Sequence, residues 1–344
     1  MEIFSTGSIR QPLLNVRNLS VVFKSKHGIL KAIDNVSFSI NEGEILGLAG
    51  ESGCGKTLTA LSIPGLLPPR AKITNGEIIF TPDSEKPGAE KNRTISLAAL
   101  NEKEISLIRG REISMVFQEA RQCLNPLLKA GKQIDETLEL SGYTNKKERL
   151  VMVLETLEKL GFEDPKKIYN SYPHQLSGGM CQRILIAIAA ISRPKLLITD
   201  EPTTALDSEN QKMILSLIKE INEGYGTAVL FISHDLSILK QFCHRILVMY
   251  DSKIIEEGPA EKILSFPFHP YTKGLLGAVP SAEKKGTPLA NIPGNIPSIK
   301  DRNPGCPFEP RCPDRKPLCR EIFPQAKDLG DGHFVHCFEG GENA

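Results

Sequence analysis

The sequence predicts an α/β fold organised around a parallel sheet, and three observations carry that reading. Apolar, β-branched runs of strand length alternate with segments of helical spacing. One run, EILGLAG at 44–50, opens at once into the glycine-rich GESGCGKT at 50–57. Another, LLITDEP at 196–202, ends in two adjacent acids. Buried parallel strands read as continuous apolar runs, and ligands of such sheets gather at the carboxyl ends of the strands.

Taken in order, LSVVF at 19–23 and VSFSI at 36–40 have the β-branched and aromatic content of strands. EILGLAG is a buried strand, and the residues after its glycine turn predict a helix over 56–63. The polar, sparsely aromatic stretch 81–103 reads as a surface loop insertion. Between 119 and 172 the pattern turns helical: Leu150, Val153, Leu154, Leu157 and Leu160 share one helix face, and Gly161 is a natural stop. Ser177, Gly178 and Gly179 have poor helix propensity, yet an apolar run suited to a helix follows at 184–191. Such a step leaves free backbone N–H groups at a positive dipole end, which suits an anion. Strands resume at 195–199 and 227–233. RILVMY, then Asp251-Ser252, then KIIEEG reads as a hairpin. After about residue 265 proline and glycine become frequent and periodicity fades, which places a boundary there between 1–265 and 266–344. The sequence shows no internal repeat, so one such unit is present.

Composition narrows the function classes. Lys and Arg total 42 against 41 Asp and Glu, so nothing favours a nucleic-acid partner. MEIFSTGSIR lacks the apolar core of a signal peptide, and no apolar stretch approaches the roughly 18 residues that span a bilayer. The chain therefore reads as soluble and cytosolic. Of the eight cysteines, Cys54, Cys123, Cys181 and Cys243 are scattered, whereas Cys306, Cys312, Cys319 and Cys337 crowd the C-terminal region. In a reducing compartment such a cluster reads as metal-binding before disulfide-forming.

GESGCGKT matches G-x-x-x-x-G-K-[ST] in the strand–turn–helix setting that the motif needs. Backbone N–H groups of Gly50, Glu51, Ser52, Gly53, Cys54 and Gly55 cradle phosphates, Lys56 reaches the β- and γ-phosphates, and Thr57 holds Mg²⁺. Asp200, at the tip of its strand, suits a second Mg²⁺ contact, and Glu201 suits a general base on the attacking water. By themselves these are equally an ordinary strand end with solvated acids. His234, in FISHD, ends a strand that is a plausible neighbour of the Asp200 strand in a parallel sheet, which makes it a γ-phosphate contact. Gln118, in MVFQ, says almost nothing alone.

In the order GESGCGKT, Gln118, LSGGM, LLITDEP, TALD at 204–207 and His234, the motifs resemble the ATP-binding subunits of ABC transporters, over about residues 12–260. The resemblance implies a P-loop NTPase, an ABC-type nucleotide-binding domain with a helical subdomain at about 119–176. It implies that Gln118 links Mg²⁺ and the attacking water to a transmembrane partner. It also implies that Phe23 stacks on adenine, although a strand phenylalanine is equally often core. Two such domains face head to tail, so Ser177, Gly178 and Gly179 close on an ATP held by the phosphate loop of another subunit, with Ser177 also able to cap its helix. Met180 stands where the family usually has Gln.

FHPYTKGLLGAVP at 268–280 is a short amphipathic segment that could be any docking helix. It resembles the tail motif of dipeptide, oligopeptide and nickel importers, as do FQEARQCLNPLLKAGKQI and HQLSGGMCQR. In that subfamily the LNP segment at 124–126 lies near the coupling helix of a permease; here EARQC replaces a more usual start. The subfamily often ends in a cysteine-rich tail, and Cys306, Cys312, Cys319 and Cys337 read C-x₅-C-x₆-C-x₁₇-C. Resemblance points to a [4Fe–4S] cluster, with Zn²⁺ as the alternative, in a small irregular Cys-rich tail; the spacing lacks the close knuckles of structural zinc and of ferredoxins alike. His333 and His336 are either substitute ligands or surface residues beside the site. The expectation is thus an ATP-hydrolysing, membrane-associated subunit of an importer of di- and oligopeptides, peripheral on the cytoplasmic face of the inner membrane. Its partners would be a paralogous ATPase in preference to a homodimer, two permease subunits and, indirectly, an extracytoplasmic binding protein. The alternatives are the same role for nickel or another small solute, or a regulatory ATP-binding subunit. A DNA-repair ATPase would need a long coiled coil, and residues 58–176 carry no sustained heptads.

Overall fold

The computed structural model describes residues 11–25, 28–82, 93–204, 206–278, 292–295 and 302–338. β1 (Leu14–Ser25) and β2 (Gly28–Ile40) pair antiparallel, longer than the two short strands expected, because register shifts near Asn18 let the ladder continue past interruptions in the apolar pattern. β3 (Ile45–Ala49) runs into the turn that opens α1 (Lys56–Ser62). β4 (Ala71–Phe80) and the short β5 (Ile95–Ser96) complete the first sheet, in the order β2–β1–β4–β5. The expected loop insertion at 81–103 is only in part loop: β5 lies within it, and α2 (Glu102–Ser106) starts there under a capping box from Asn101 and Glu104. Its residues 83–92 lie outside the described residues.

β6 (Ile113–Val116) leads into α3 (Ala120–Cys123), α4 (Ala130–Leu140), α5 (Lys146–Lys159) and α6 (Pro165–Asn170), then into α7 (Gly178–Ala190). On α5, Val153 and Leu157 are fully buried, whereas Leu150 faces solvent at the helix start. Beyond it come β7 (Leu196–Asp200), α8 (Ser208–Tyr225), β8 (Ala228–Ile232), α9 (Leu236–Phe242), β9 (Arg245–Tyr250) and β10 (Lys253–Pro259). Asp251 and Ser252 both take positive φ, 38° and 76°, the geometry that a two-residue hairpin turn demands.

The second sheet contains the order β10–β9–β3–β8–β7–β6, and β9, β3, β8, β7 and β6 run parallel. Both of its faces are covered, and side chains alternate between two cores. Ile45, Leu197, Val229, Phe231 and Val248 point to one with α4, α5, α7 and α8. Leu46, Leu48, Ile198, Leu230, Ile232 and Met249 point to the other, with the β1–β2–β4 sheet and α1. That is why these strands read as unbroken apolar runs.

Past residue 259 regular structure continues. α10 (Ala260–Ser265), α11 (Pro270–Gly277) and α12 (Leu318–Glu321) follow, and β11 (Lys327–Asp328) and β12 (Phe334–Val335) extend the main sheet, with β12 antiparallel to β10. Strands of two residues have no periodicity to read, which is why the sequence showed only irregularity here. Fully buried Glu256 on β10 ties the segment down: its carboxylate accepts from the backbone N–H groups of Phe268 and His269 and lies 2.8 Å from His333 Nε2. His333 is therefore a buried structural partner, not a surface residue. His336 is half-buried, its Nδ1 2.8 Å from the Pro324 carbonyl.

His269, 1% exposed, caps α11 by accepting the Tyr271 N–H at Nδ1. Burial, helped by the nearby His336 and Lys273, pushes its pKa down to about 3. The unfolded chain binds a proton near the ordinary 6.5 that the folded chain refuses. The contribution is thus intact above pH 6.5 and is lost as pH falls toward 3, by up to about 1.4 kcal/mol per unit. Denaturant melts between pH 7 and 5 should show that slope, and His269→Asn, which keeps a capping acceptor, should flatten it.

Candidate functional site

Parallel pairing brings the predicted residues to one edge. Leu48 on β3 lies opposite Ile232 on β8, Ile232 opposite Asp200 on β7, and Thr199 opposite Val116 on β6. The residues just past those positions form the site: the loop at 50–55, His234, Glu201 and Gln118.

The glycine-rich loop has no room for side chains at its base. A Cβ on Gly50, whose φ is 151°, would lie 2.2 Å from the Met249 carbonyl oxygen. The Cys54 carbonyl accepts from Ser252 N–H, so the β9–β10 turn braces the loop from behind. Cys54 is fully buried, and burial raises its thiol pKa, which makes it packing and not a nucleophile. Lys56 Nζ donates to the carbonyls of Gly50 (2.8 Å) and Glu51 (3.0 Å), held inside the loop it would use to reach phosphate.

Asp200 is 3% exposed, and burial raises its carboxyl pKa; Glu201 adds to the rise, while the Thr57 hydroxyl and Lys56 ammonium pull it back. Among the described residues its Oδ1 has no hydrogen-bond partner. A buried, unpaired carboxylate oxygen beside a threonine hydroxyl is a hard-oxygen pair that fits Mg²⁺.

Glu201 has φ 48°, a conformation that is strained for a residue with a side chain, and its N–H is fixed by the Ile232 carbonyl. Three side chains converge on its Oε2: Thr204 Oγ1 donates at 2.9 Å, Gln118 Nε2 donates at 3.4 Å, and His234 Nδ1 lies at 3.3 Å. Gln118 sits past the end of β6, immediately before Glu119, which also takes a positive φ of 61°. Thr204, the first residue of TALD, was given no role in the sequence; its place three residues after the acid was the available signal.

Other predicted residues lie apart. Ser177 caps α7 by accepting the Met180 N–H at 3.2 Å, so the glycines are the first turn of the helix itself. Ser177 and Gly178 are exposed, and among the described residues no hydrogen bond joins them to the loop at 50–57. Gly179 is buried because a Cβ there would meet Asn210 Oδ1 at 2.7 Å; Asp207, the N-cap of α8, holds that asparagine. Ala205 lies outside the described residues. Phe23 is half-buried on β1, packed against the core beneath the first sheet. Tyr271, in the segment read as a docking helix, is fully buried, and its hydroxyl accepts the Glu51 N–H at 2.9 Å. The end of that segment, 279–280, lies outside the described residues.

The four tail cysteines border one small pocket with His269, Asp314 and Lys316. The iron–sulfur cluster expected there, and zinc with it, is not supported: among the described residues no group of three or more His, Cys, Asp or Glu is set to hold a metal ion. Burial first, and then the neighbouring cysteines, pushes Cys306 up to about 12 and Cys312 up to about 11.

A glycine-rich loop between a parallel strand and a helix, beside a buried acid and a second, ringed acid, defines a phosphate-loop domain that binds a nucleoside triphosphate with Mg²⁺. Residues 33–204 match the family described as ABC transporter, and 255–319 match oligopeptide/dipeptide transporter, C-terminal region. The dipeptide transport ATP-binding protein DppD of Bacillus subtilis (strain 168) is 44% identical over 95% of each chain. The oligopeptide transport ATP-binding protein OppD of Haemophilus influenzae is 38% identical over 96% of this chain and 98% of its own. Among solved structures, the dimeric post-hydrolysis state of the ATP-binding cassette MJ0796 with ADP and Pi aligns at TM-score 0.62 and 31% identity, over 72% of this chain and 98% of that one. The chain belongs to the ABC transporter family, as an ATP-binding subunit.

Gly50→Ala should abolish ATP binding by forcing the loop off Met249, and should lower the melting temperature measurably, since the clash is with backbone. Equilibrium binding of a fluorescent ATP analogue with a parallel thermal melt checks both.

Proposed function

We propose that this chain hydrolyses ATP to power import of di- and oligopeptides. It acts on the cytoplasmic face of a cell membrane, bound to two permease subunits and paired with a paralogous ATPase, while an extracytoplasmic binding protein delivers the solute. No helix among the described residues is long and apolar enough to cross a membrane, consistent with a peripheral subunit. Residues 1–265 form the nucleotide-binding unit, with the helical subdomain at about 119–176, and 266–344 the oligopeptide-transporter type of C-terminal region. The convergence of Gln118, His234 and Thr204 on one oxygen of Glu201 carries the catalytic reading.

Thr57, Asp200 and Gln118 would hold Mg²⁺, which when bound neutralises charge on the β- and γ-phosphates. The loop at 50–55 and Lys56 bind the phosphates, and Phe23 meets the adenine. Glu201 orients the attacking water and takes its proton at a carboxylate oxygen. Thr204 and Gln118 fix the direction of that carboxylate, and His234, more than half exposed at 58%, is free to contact the γ-phosphate. Ser177 and Gly178 face outward at a helix N-terminus, with Gly179 buried behind them against Asn210, and that turn suits an ATP on the partner's phosphate loop.

Glu201→Gln should retain ATP binding and slow hydrolysis by about 10²–10⁴-fold, the usual contribution of a positioned base. Cells carrying that variant should lose uptake of a labelled di- and oligopeptide mixture, with ⁶³Ni²⁺ uptake unchanged. Loss of nickel uptake alone would redirect the assignment to metal import, and near-normal turnover would remove Glu201 from its role.

A further inference from the structure

Glu51, the residue after the first glycine of GESGCGKT, is held at three points, and two of the holders come from beyond residue 265. Lys56 Nζ takes its carbonyl, Tyr271 Oη on α11 accepts its N–H at 2.9 Å, and Arg311 Nη1 donates to both carboxylate oxygens at 3.0 and 3.2 Å. Arg311 is 9% exposed, and its guanidinium is anchored on the far side: Nε donates to the Pro293 carbonyl at 2.9 Å and Nη2 to the Ile292 carbonyl at 3.2 Å. Nη1 also reaches the Tyr250 hydroxyl at 3.3 Å. Beneath this pair lies a buried aromatic group. Tyr250 at the end of β9 meets Tyr271 edge-on at 4.6 Å and Phe308 at 5.2 Å, and Tyr271 meets Phe308 at 5.4 Å.

The geometry points to Arg311 and Tyr271 as positioning residues that fix the phosphate loop from the C-terminal region, so that ATP affinity depends on that region's conformation. The proposal rests on the ATP-binding reading above. An arginine buried against backbone carbonyls can swing neither to solvent nor to another acid, so it transmits the position of 306–312 to Glu51 as a fixed charge. Tyr271, wedged between Tyr250 and Phe308, does the same for the loop N–H. Lys56 shares the Glu51 carbonyl, so a displaced Glu51 also displaces the ammonium needed at phosphate. Arg311 is buried and Glu51 partly so, which leaves the pair screened less than a surface one, and removing the carboxylate would leave the buried guanidinium charge without its acid. Neither Arg311 nor Tyr271 touches the reacting atoms, and their effect falls on binding more than on the chemical step.

The test uses the full chain and a fluorescent ATP analogue with Mg²⁺, with melting temperatures in parallel and ATP turnover of the complex purified through a tag on this chain. Arg311→Met and Tyr271→Phe should each weaken the dissociation constant by about fivefold or more, the lower end of typical coupling between sites. Turnover at saturating ATP should stay within about twofold, so KM rises while kcat holds. Arg311→Lys should restore part of the affinity, and adding Arg311→Met to Glu51→Gln should cost less than the sum of the two, since both remove one contact. Variants that melt with the unaltered chain and bind ATP as tightly would overturn the inference, as would strict additivity in the Glu51 background. Should Arg311→Met fail to fold, Tyr271→Phe, which keeps the ring packing and removes only the acceptor, decides the matter. An unaltered chain that itself binds no ATP would instead overturn the reading of the loop.

Discussion

Because β3, β8, β7 and β6 run parallel and in step, every chemical group of the site arrives at the same edge of one sheet. The register is what holds this in place. A slip of one residue in any of these strands would exchange its two faces, sending Phe231 toward the core under the first sheet and Leu230 toward the helices. It would also carry Asp200 away from Thr57. Each strand is buried along its whole length, so the cost of a slip is paid in packing on both sides, and the edge geometry follows from the two cores.

At that edge, local strain and burial are concentrated in two neighbouring acids with different environments. Asp200 is enclosed, its carboxyl pKa raised, with an oxygen that meets no protein donor among the described residues. Glu201, one residue on, leaves the strand in a left-handed conformation, and its carboxylate sits in a ring of a threonine, a glutamine and a histidine. A continuing strand would have placed alternate residues on opposite faces; the turn at Glu201 is what lets two consecutive acids serve one pocket. Groups with such opposed surroundings are where acid–base and cation chemistry divide their labour.

The C-terminal region is wired into this arrangement more deeply than a loose tail would be. Glu256 gathers Phe268, His269 and His333, β12 pairs with β10, and the Tyr250–Tyr271–Phe308 group continues the helix-side core. The four cysteines surround a small pocket next to His269, and burial keeps Cys306 and Cys312 as thiols. A segment short of its own core gains order here by borrowing the edge strand and a buried carboxylate of the main sheet.

How far the site was legible in the sequence follows from the range of each interaction. GESGCGKT, LLITDEP and FISHD are local: a glycine that alone fits against a carbonyl, a lysine and threonine at the start of a helix, an acid at a strand tip. The strands at 44–50, 195–199 and 227–233, the helical character after 119 and the hairpin at Asp251-Ser252 were likewise written in local pattern. What spans the chain was not. That Gln118 and His234 meet at Glu201, that Tyr271 and Arg311 reach back to Glu51, and that His333 is buried on Glu256 all depend on contacts between residues 33 to 260 positions apart. The sequence by itself determined the elements that carry the site and the chemistry each could bear, because propensity and motif act over a few residues. Only the tertiary structure decided which of them touch, because burial and sheet register are properties of the packed whole.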